Sequence, residues 1–509
     1  MSGRCPRLVI AGTGSGVGKT SLALGLARRL ARQGLRVQTF KVGPDFLDPT
    51  YLAMASGRTC YNLDGWMTSR EYVRELFAWA TADADIAIIE GVMGLFDGAS
   101  PNTLEGSTAE IALWLDAPVL LVVNAHGAAR SLAATVQGFT RFEPGVRVAG
   151  VIANQGGSER HRAWLAESLA AAQAASLVGM LPRGSLPTLP SRHLGLVTAE
   201  QANLSAGILD QLADACDQHL DVPAIVELAR SSEGLDEGES TVVGWADGHR
   251  AQLGRRVPPN DILRTVPGAH RNRIGQQSHG EPTLAIEGEL VPPYAGNLRL
   301  GIARDEAFHF YYADNLESLA RAGVEWVPFS PLADAGLPAD LDGLYFGGGY
   351  PEVHAARLSA NVGMRADVRE FAAAGGLVYA ECGGLMYLGR GLTTLDGARY
   401  PLAGVLPIET AMLEKLKVLG YTEVTWAADS LWGPAGEVAH GHEFHYSQIT
   451  AQETAADGWQ PAYTVCRRQA EPALDGLRRG RVLAGYVHLH WASRPQAIHH
   501  FLSCCEKRP

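Results

Sequence analysis

A glycine-rich stretch near the N-terminus has the residue types needed to bind phosphate. The residues GTGSGVGKT follow an apolar run and open a helical pattern. Backbone N–H groups of such a loop can turn toward phosphate oxygens, and the helix N-terminus and Lys19 add positive charge. The hydroxyl of Thr20 is placed to hold Mg²⁺. The sequence therefore predicts an ATP-binding loop that consists of Gly12, Thr13, Gly14, Ser15, Gly16, Val17, Gly18, Lys19 and Thr20.

Charged residues follow two apolar runs downstream of this loop. Glu90 ends the run DIAIIE, and Lys41, Asp45 and Asp48 come after the second predicted strand. Because ligands bind at the carboxyl ends of parallel strands, Glu90 is predicted to bind Mg²⁺ and the other three to contact a phosphoryl group or the substrate. Asp97, seven residues after Glu90, is predicted to belong to the same group. For Asp48, capping of a turn before the proline that follows it is an open alternative.

A cysteine lies between another apolar run and two glycines, in the stretch LVYAECGGLM. A nucleophile on a tight strand-to-helix turn needs such small neighbours. The helix N-terminus is also expected to lower the pKa of the Cys382 thiol. The alternative is a buried, inert cysteine, which is the usual state of this residue type.

Two further stretches favour the nucleophile. FGGGYPE contains Gly348 and Gly349, whose backbone N–H groups are predicted to form an oxyanion hole with that of Gly383. YVHLHWAS contains two candidate bases, His488 and His490, at the end of the last predicted strand. A thiol, a base and N–H donors together can attack an amide carbonyl. We therefore interpret the cysteine as a nucleophile.

Composition limits the partners of the chain. It has 509 residues, of which 46% are hydrophobic and 19% charged, and its formal net charge is -11. That charge argues against a nucleic-acid partner, since phosphate contacts need a basic face. The seven cysteines, an odd number, do not suggest a disulfide framework, and no apolar run has the length of a membrane helix. We expect a cytoplasmic protein with neither a nucleic-acid nor a membrane partner.

Short apolar strands alternate with amphipathic helices over two long stretches, which predicts two doubly wound α/β domains. The expected boundaries are 1–228 for the phosphate-binding domain and 298–509 for the domain with the cysteine. Strands of the second domain are predicted at 298–303, 343–346, 376–380 and 482–487. Residues 229–297 are rich in Arg, Gly, Pro and Gln and are predicted to form a linker that is partly disordered or loosely packed.

Ordered motifs from one end of the chain to the other resemble those of the cobyrinic acid a,c-diamide synthase family. They are GTGSGVGKT, FKVGPDFLDP, NLDGWM, IIEGVMGLFDG, LPSRHLGLV, ARDEAFHFYYADNLE, FGGGYPE, YAECGGLMYL, GHEFHYS and YVHLHWAS. The resemblance implies an N-terminal P-loop domain like that of dethiobiotin synthetase. It also implies a C-terminal, flavodoxin-like class I glutamine amidotransferase domain.

The resemblance further implies a ligase of cobalamin biosynthesis that uses ATP, Mg²⁺ and glutamine. The first domain would phosphorylate the a and c acetate carboxylates of cobyrinic acid, and ammonia would then displace the phosphate. Cys382 would release that ammonia from glutamine, with His488 as its base. Asn154 would contact the adenine, with a purely structural asparagine as the alternative.

One position departs from the class I pattern. His490 stands where many class I amidotransferases have a glutamate, two residues after the catalytic histidine. The third member of the triad is therefore left open. Candidates for residues that shape the pocket are Glu381, Glu443, His442 and His445, with purely structural hydrogen bonding as the alternative.

Other interpretations remain open. Hydrogenobyrinic acid or nickel sirohydrochlorin would need nearly the same residues as cobyrinic acid. A non-enzymatic ATP-dependent switch with a vestigial amidotransferase domain is a further alternative, although Gly14 stands where partition ATPases have a signature lysine. The expected partner is a small tetrapyrrole, and the expected assembly is a monomer or a homodimer.

Overall fold

The structure is a computed structural model, and it describes residues 5–189, 191–192, 195–196, 206–232, 298–452, 458–468 and 470–506. All but the first four residues of the predicted linker, 229–297, lie outside these ranges. Among the helices within them, none combines the length and the apolarity that crossing a bilayer requires.

A parallel sheet covered by helices forms the first domain. Its elements are β1 (Arg7–Gly12), α1 (Lys19–Arg32), β2 (Val37–Val42), α2 (Asp48–Ser56), β3 (Tyr61–Leu63), α3 (Arg70–Ala80), β4 (Ile86–Glu90), α4 (Thr108–Trp114), β5 (Val119–Asn124), α5 (Arg130–Phe142), β6 (Val148–Gly156), α6 (Glu159–Ala171), β7 (Ser176–Pro182), β8 (Ser191–Arg192), β9 (Gly195–Leu196), α7 (Ala206–His219) and α8 (Val222–Arg230). The sheet has the strand order β3-β2-β4-β1-β5-β6-β7, and all its pairs are parallel. Strands β1 and β2 are buried at every residue, which explains their uninterrupted apolar runs.

The strand order places the charged residues of the first domain together. Strand β1 lies between β4 and β5, so the glycine-rich loop after β1 opens beside the end of β4. Strands β2 and β4 pair with Lys41 opposite Glu90. Both side chains therefore lie at the carboxyl edge of the sheet, next to the loop.

The second domain contains β10 (Leu298–Ala303), α9 (Ala313–Arg321), β11 (Val324–Phe329), β12 (Gly343–Phe346), α10 (Ala355–Ala360), α11 (Val362–Ala373), β13 (Leu377–Glu381), α12 (Gly383–Leu388), β14 (Gly391–Thr393), β15 (Arg399–Pro401), β16 (Ile408–Met412), β17 (Val418–Trp426), β18 (Val438–His445), β19 (Ser447–Gln452), β20 (Gln460–Arg467), β21 (Ala473–Arg479), β22 (Val482–Gly485), β23 (His488–Leu489), a 3-10 helix (Trp491–Ser493) and α13 (Gln496–Glu506). Its main sheet has the order β11-β10-β12-β13-β22-β21-β20-β17-β18-β23, and β15, β14, β16 and β19 form a second sheet.

The expected alternation of strands and helices is wrong for the last part of this domain. Strands β16 to β22 follow one another with no α-helix between them in the described residues, and β17, β18, β20 and β21 pair antiparallel. Consecutive strands can pair in this way because short turns suffice to join them. The predicted strand at 482–487 likewise ends early, at Gly485, and the chain resumes as β23.

This antiparallel extension curls back on itself. Only two residues separate β22 from β23 along the chain, although four other strands lie between them in the sheet. The intervening strands must therefore bend round, so that β18 pairs with β23, with His442 opposite His488. Residues of β18 are thereby brought next to the predicted catalytic histidine.

The two domains contact each other through side chains from several loops and helices. The hydroxyl of Tyr72 donates to Asp314 Oδ2 at 2.6 Å, and that of Tyr421 donates to Asp64 Oδ2 at 2.9 Å. Each pair joins a residue of one domain to a residue of the other. Buried hydrogen bonds to carboxylates favour a defined arrangement of the domains, because a carboxylate left without its partner would cost free energy.

Candidate functional site

The glycine-rich loop joins β1 to α1 and holds Lys19 over its own backbone. The loop adopts positive φ values at Gly16 (75°) and Gly18 (102°), which only glycine tolerates readily. Lys19 Nζ donates to the carbonyl oxygen of Gly14, at 3.0 Å, and to that of Met93. Burial lowers the pKa of this ammonium group. Its hydrogen bonds go to uncharged carbonyl groups, so its positive charge suits an anion bound in the loop.

A buried charge cluster lies beside this loop. Lys41 Nζ is 2.6 Å from Asp48 Oδ2 and 3.0 Å from Glu90 Oε1, and Thr20 Oγ1 donates to the same Glu90 oxygen at 2.5 Å. Burial disfavours a charged lysine, but Asp48 and Glu90 outweigh that effect and raise the pKa of Lys41. Burial raises the pKa of Glu90 to about 7, although the charge of Lys41 opposes this. Burial of Glu90 and the charge of Lys41 thus act on this carboxyl group in opposite directions.

The two aspartates that follow β2, Asp45 and Asp48, have different partners. Asp45 Oδ1 accepts the backbone N–H groups of Leu47, at 2.8 Å, and Asp48, at 2.9 Å, and so closes the turn that begins α2. Burial raises the pKa of Asp45 to about 6. The turn-capping role considered for Asp48 thus belongs to Asp45, while the Asp48 side chain is bound to Lys41.

Asp97 and Asn154 both lie near the phosphate loop. Asp97 Oδ2 accepts the backbone N–H of Gly94 at 2.8 Å and closes its own turn. Asn154 Nδ2 donates to the carbonyl oxygen of Val17 at 2.8 Å. The asparagine therefore supports the loop by a hydrogen bond to the loop backbone, which agrees with the structural alternative. Contact with an adenine stays a prediction.

Cys382 occupies a strained turn between β13 and α12. Its φ is 48°, a value that costs a residue other than glycine on the order of 1–3 kcal/mol and is typical of functional turns. The expectation of a lowered thiol pKa is wrong: the residue is 6% exposed, and burial raises the pKa of the thiol. Helix α12 has only six residues, so its N-terminus does not offset this desolvation. The resting thiol is neutral and needs a base.

The glycine loop after β12 lies against both the cysteine turn and His488. A Cβ added to Gly383 would lie 3.1 Å from the backbone nitrogen of Gly349. A Cβ added to Gly348 would collide with His488 Cε1 and lie 3.1 Å from Nε2. The structure therefore brings together the predicted oxyanion donors, the turn that carries the thiol and the imidazole of His488.

The two candidate histidines contact different carboxylates. His488 Nδ1 is 3.8 Å from Glu381 Oε2, and His490 Nε2 is 3.3 Å from Asp314 Oδ2. Asp314 also accepts the hydroxyl of Tyr72 from the first domain. His490 is thus engaged at the domain interface, whereas His488 lies beside the glycine loop.

A pocket of about 430 Å³, including its mouth, opens at the thiol. It is lined by Phe310, Gly349, Tyr350, Glu352, Cys382, Met386, Met412, Phe444, His445, Tyr446 and Ser447. Glu352 is the one carboxylate in this lining, and burial raises its pKa to about 7. A carboxylate near a thiol suits a ligand that carries an ammonium group, such as an amino acid. Sequence reasoning missed Glu352, although the YPE that follows the glycines contained it.

Glu443 anchors the antiparallel strands. Its carboxylate pairs with Arg467 in a bidentate manner, at 2.6 and 2.8 Å. Although burial opposes it, hydrogen bonding from His445 and Arg467 lowers the pKa of Glu443 to about 2. The motif GHEFHYS therefore contributes a structural ion pair as well as pocket residues.

Comparisons with known proteins agree with this architecture. A model of the CobQ/CobB/MinD/ParA nucleotide binding domain matches residues 8–197, and one of the CobB/CobQ-like glutamine amidotransferase domain matches 299–496. A cobyrinate a,c-diamide synthase from Syntrophotalea carbinolica is 53% identical over 98% of this chain and 99% of the relative. The chain belongs to the cobyrinate a,c-diamide synthase family. The predicted family and its fused two-domain fold are confirmed.

Other members of the cobyrinate a,c-diamide synthase family are also similar along their full length. A cobyrinate a,c-diamide synthase from Leptospira interrogans is 39% identical, with 100% of both chains covered. A hydrogenobyrinate a,c-diamide synthase from Streptomyces coelicolor is 39% identical over 98% of this chain and 97% of the relative.

In this member of the cobyrinate a,c-diamide synthase family, the two candidate sites meet at Phe46. The ring of Phe46, in the loop after β2, lies 5.0 Å from the ring of His488 between centroids. It also stacks on Phe310 at 5.2 Å and 11°. One aromatic residue of the first domain thus packs directly against the predicted base of the second.

Replacing Gly349 by alanine tests the predicted oxyanion donors. Its φ is 152°, and an alanine Cβ would collide with the carbonyl oxygen of Ala307, so the loop must shift. We expect the glutaminase kcat of Gly349→Ala to fall by about 10²-fold or more, measured as glutamate release, because an oxyanion donor is displaced. Gly138→Ala, in α5 and with open space around the new methyl group, is the control. Unchanged glutaminase activity in Gly349→Ala would contradict the assignment.

Proposed function

We propose that this chain is an ATP- and glutamine-dependent ligase that amidates the a and c acetate side chains of cobyrinic acid. The observation that carries this proposal is the direct contact between a phosphate-loop domain and a thiol–histidine site, made through Phe46. Two of the three relatives described above are named for cobyrinate, which supports this substrate. The Streptomyces coelicolor relative makes hydrogenobyrinic acid the second candidate.

The first domain activates the carboxylate. A carboxylate oxygen of the substrate attacks the γ-phosphorus of ATP, ADP leaves, and an acyl phosphate forms. Ammonia then attacks the carbonyl carbon, and phosphate leaves with the C–O bonding electrons while the nitrogen loses a proton. Lys19 and Lys41 are proposed to stabilise the negative charge on the transferring phosphoryl group. The hydrogen bonds of Lys19 to the loop carbonyls of Gly14 and Met93 support this role, because they hold its charge over the phosphate site.

Thr20 and Glu90 are proposed to hold Mg²⁺ in this site. Their oxygens are 2.5 Å apart, and Glu90 Oε2 is a buried oxygen without a hydrogen-bond partner in the described residues. No cluster of three or more His, Cys, Asp or Glu side chains with metal-site geometry occurs in the part of the chain that the structure describes. This suits Mg²⁺, which takes one or two protein oxygens together with phosphate and water, and which supplies positive charge to the phosphates when bound.

The second domain supplies ammonia. The proton of the Cys382 thiol passes to His488 Nε2, and the sulfur attacks the side-chain carbonyl carbon of glutamine. The N–H groups of Gly348, Gly349 and Gly383 are proposed to stabilise the oxyanion. The C–N bond then breaks, the proton returns to the departing nitrogen as ammonia forms, and water hydrolyses the thioester to glutamate.

Two variants separate the proposed sites. Cys382→Ala is expected to lose glutamine-dependent amidation but to keep amidation with ammonium salts, since only the nucleophile is removed. Lys19→Ala is expected to lose amidation with either nitrogen source while it keeps glutaminase activity. Mass spectrometry of cobyrinic acid, hydrogenobyrinic acid and nickel sirohydrochlorin after incubation counts the amides gained. Failure of Cys382→Ala with ammonium, or no amide on any macrocycle with the wild type, would overturn the proposal.

The metal role of Glu90 is tested by Glu90→Gln, which keeps the side-chain shape and removes the charge. We expect the Mg²⁺ concentration for half-maximal amidation to rise by roughly tenfold or more, as is usual when a metal site loses a supporting group. Calorimetric titration of Mg²⁺ in the presence of a non-hydrolysable ATP analogue measures the same loss directly. Glu159→Gln, whose carboxylate is 86% exposed, is the matched control. Equal Mg²⁺ dependence in both variants would exclude Glu90 as a ligand.

A further inference from the structure

Glu381, the residue before the predicted nucleophile, is a buried carboxylate with an unusual set of partners. It is 3% exposed. Its Oε2 accepts the hydroxyl of Tyr345 at 2.8 Å, and its Oε1 accepts the hydroxyl of Tyr379 at 2.6 Å and the backbone N–H of Leu489 at 3.1 Å. These donors fix the carboxylate at the end of β13, but none of them carries a charge.

The charge of Glu381 therefore lacks a permanent counterion. Among the described residues, no lysine or arginine forms an ion pair with it, and its one partner that can become a cation is His488, with Nδ1 at 3.8 Å from Oε2. A buried carboxylate without a counterion is strongly stabilised by a cation that forms next to it. Protonation of His488 produces such a cation.

The two nitrogen atoms of the His488 ring face different groups. Nδ1 faces Glu381 and has no hydrogen-bond partner in the described part of the chain. Nε2 lies on the side of Gly348, where the oxyanion donors and the cysteine turn meet. A distance of 3.8 Å is too long for a hydrogen bond, but such contacts commonly tighten when substrate binds.

We propose that Glu381 is the positioning residue of the glutaminase base. Its carboxylate holds His488 with Nδ1–H directed toward itself and stabilises the imidazolium that forms when Nε2 takes the thiol proton. It does so from the position before the nucleophile, because the position two residues after the histidine is occupied by His490. This inference deepens the proposed function and rests on His488 acting as the base.

The test is the pH dependence of glutaminase activity in Glu381→Gln. Loss of the negative charge makes the imidazolium less stable, so the acid limb of kcat/KM is expected to move to lower pH. We also expect kcat to fall by roughly 10- to 100-fold, part of what a positioned base contributes. Amidation with ammonium salts reports that the variant is folded. Glu381→Asp keeps the charge and is expected to keep the wild-type acid limb.

Two controls separate positioning from a structural role. Tyr345→Phe and Tyr379→Phe each remove a hydrogen bond to Glu381 but leave its charge, so the acid limb is expected to stay in place. His488→Ala tests the underlying assignment: full glutaminase activity in that variant would overturn the proposed base itself. If His488 is required but Glu381→Gln keeps the wild-type limb and kcat, or if the phenylalanine variants reproduce its effect, the role of Glu381 is refuted.

A second inference rests on the loop that carries Phe46. Asn62 Nδ2 anchors this loop through the carbonyl oxygens of Gly43, at 2.9 Å, and Asp45, at 2.8 Å. The next residues include Asp48, which is paired with Lys41 at the phosphate site. Phe46 is therefore connected by a short, anchored segment to the groups that meet ATP, while its ring packs against His488.

We infer that Phe46 completes the glutaminase site from the first domain, so that the rate of glutamine hydrolysis depends on the occupancy of the phosphate site. A change in the Lys41–Asp48 pair when ATP and the macrocycle bind shifts the Phe46 ring, which packs against His488. This inference also rests on the proposed function, because it requires both activities.

Phe46→Ala tests this coupling. In the wild type, addition of MgATP and cobyrinic acid is expected to change the glutaminase rate by roughly fivefold or more, a usual coupling between sites. In Phe46→Ala that response is expected to disappear, and more glutamate is expected per amide formed. Phe142→Ala, at a 70% exposed position, is the control, and Phe46→Leu preserves apolar volume if alanine unfolds the interface. A wild type without any response, or a Phe46→Ala enzyme that responds like it, would overturn the inference.

Discussion

The chemistry of this chain depends on one constraint, which is that parallel strands of two different sheets end at a shared interface. In the first sheet β2 and β4 end at Val42 and Glu90, and in the second β13 ends at Glu381. Loops at the carboxyl ends of parallel strands carry the groups that bind ligands. Because Phe46, after β2, stacks on Phe310, after β10, these two edges meet directly. The phosphate site and the thiol site are neighbours for that reason.

Burial decides which groups at this interface carry charge. The imidazole of His442 stacks on that of His488 at 5.0 Å and 17°. Burial, together with the neighbouring histidines, lowers the pKa of His442 far below its usual value. Its Nδ1 is hydrogen-bonded to the hydroxyl of Tyr312 at 2.8 Å. Of the two stacked rings, only that of His488 has a carboxylate of the described residues at ion-pair distance, that of Glu381.

Local motifs allowed much of both sites to be predicted from the sequence. The positions of Lys19 and Thr20 follow from the loop between a strand and a helix, and Lys41 and Glu90 follow from the rule that parallel strands end together. These contacts form between residues that were predicted to lie at the same carboxyl edge of one parallel sheet. The turn at Cys382 was predicted for the same kind of reason, because its glycines permit close backbone approach.

The remaining features depend on contacts that local patterns do not encode. Strands β17 to β21 pair antiparallel, and their curl is what places His442 beside His488. The thiol pKa was predicted in the wrong direction because the helix effect is local, whereas desolvation depends on every surrounding side chain. From the sequence, Glu381 could be predicted only as a residue that shapes the pocket, since its two tyrosine partners and its histidine come from three different strands.

Because the chain has a net charge of -11, an anionic substrate must be attracted by positive charge in the site itself. Lys41 is paired with Asp48 and Glu90, whereas Lys19 donates hydrogen bonds to carbonyl groups beside them. ATP and a carboxylate substrate both add negative charge there, and an uncompensated negative charge is costly in a buried site. The proposed Mg²⁺ at Thr20 and Glu90 answers this need, because Lys41 is already paired with carboxylates and Lys19 alone leaves much of the added negative charge unbalanced. We therefore propose that a cation binds together with the nucleotide, so that metal binding and ATP binding are linked electrostatically.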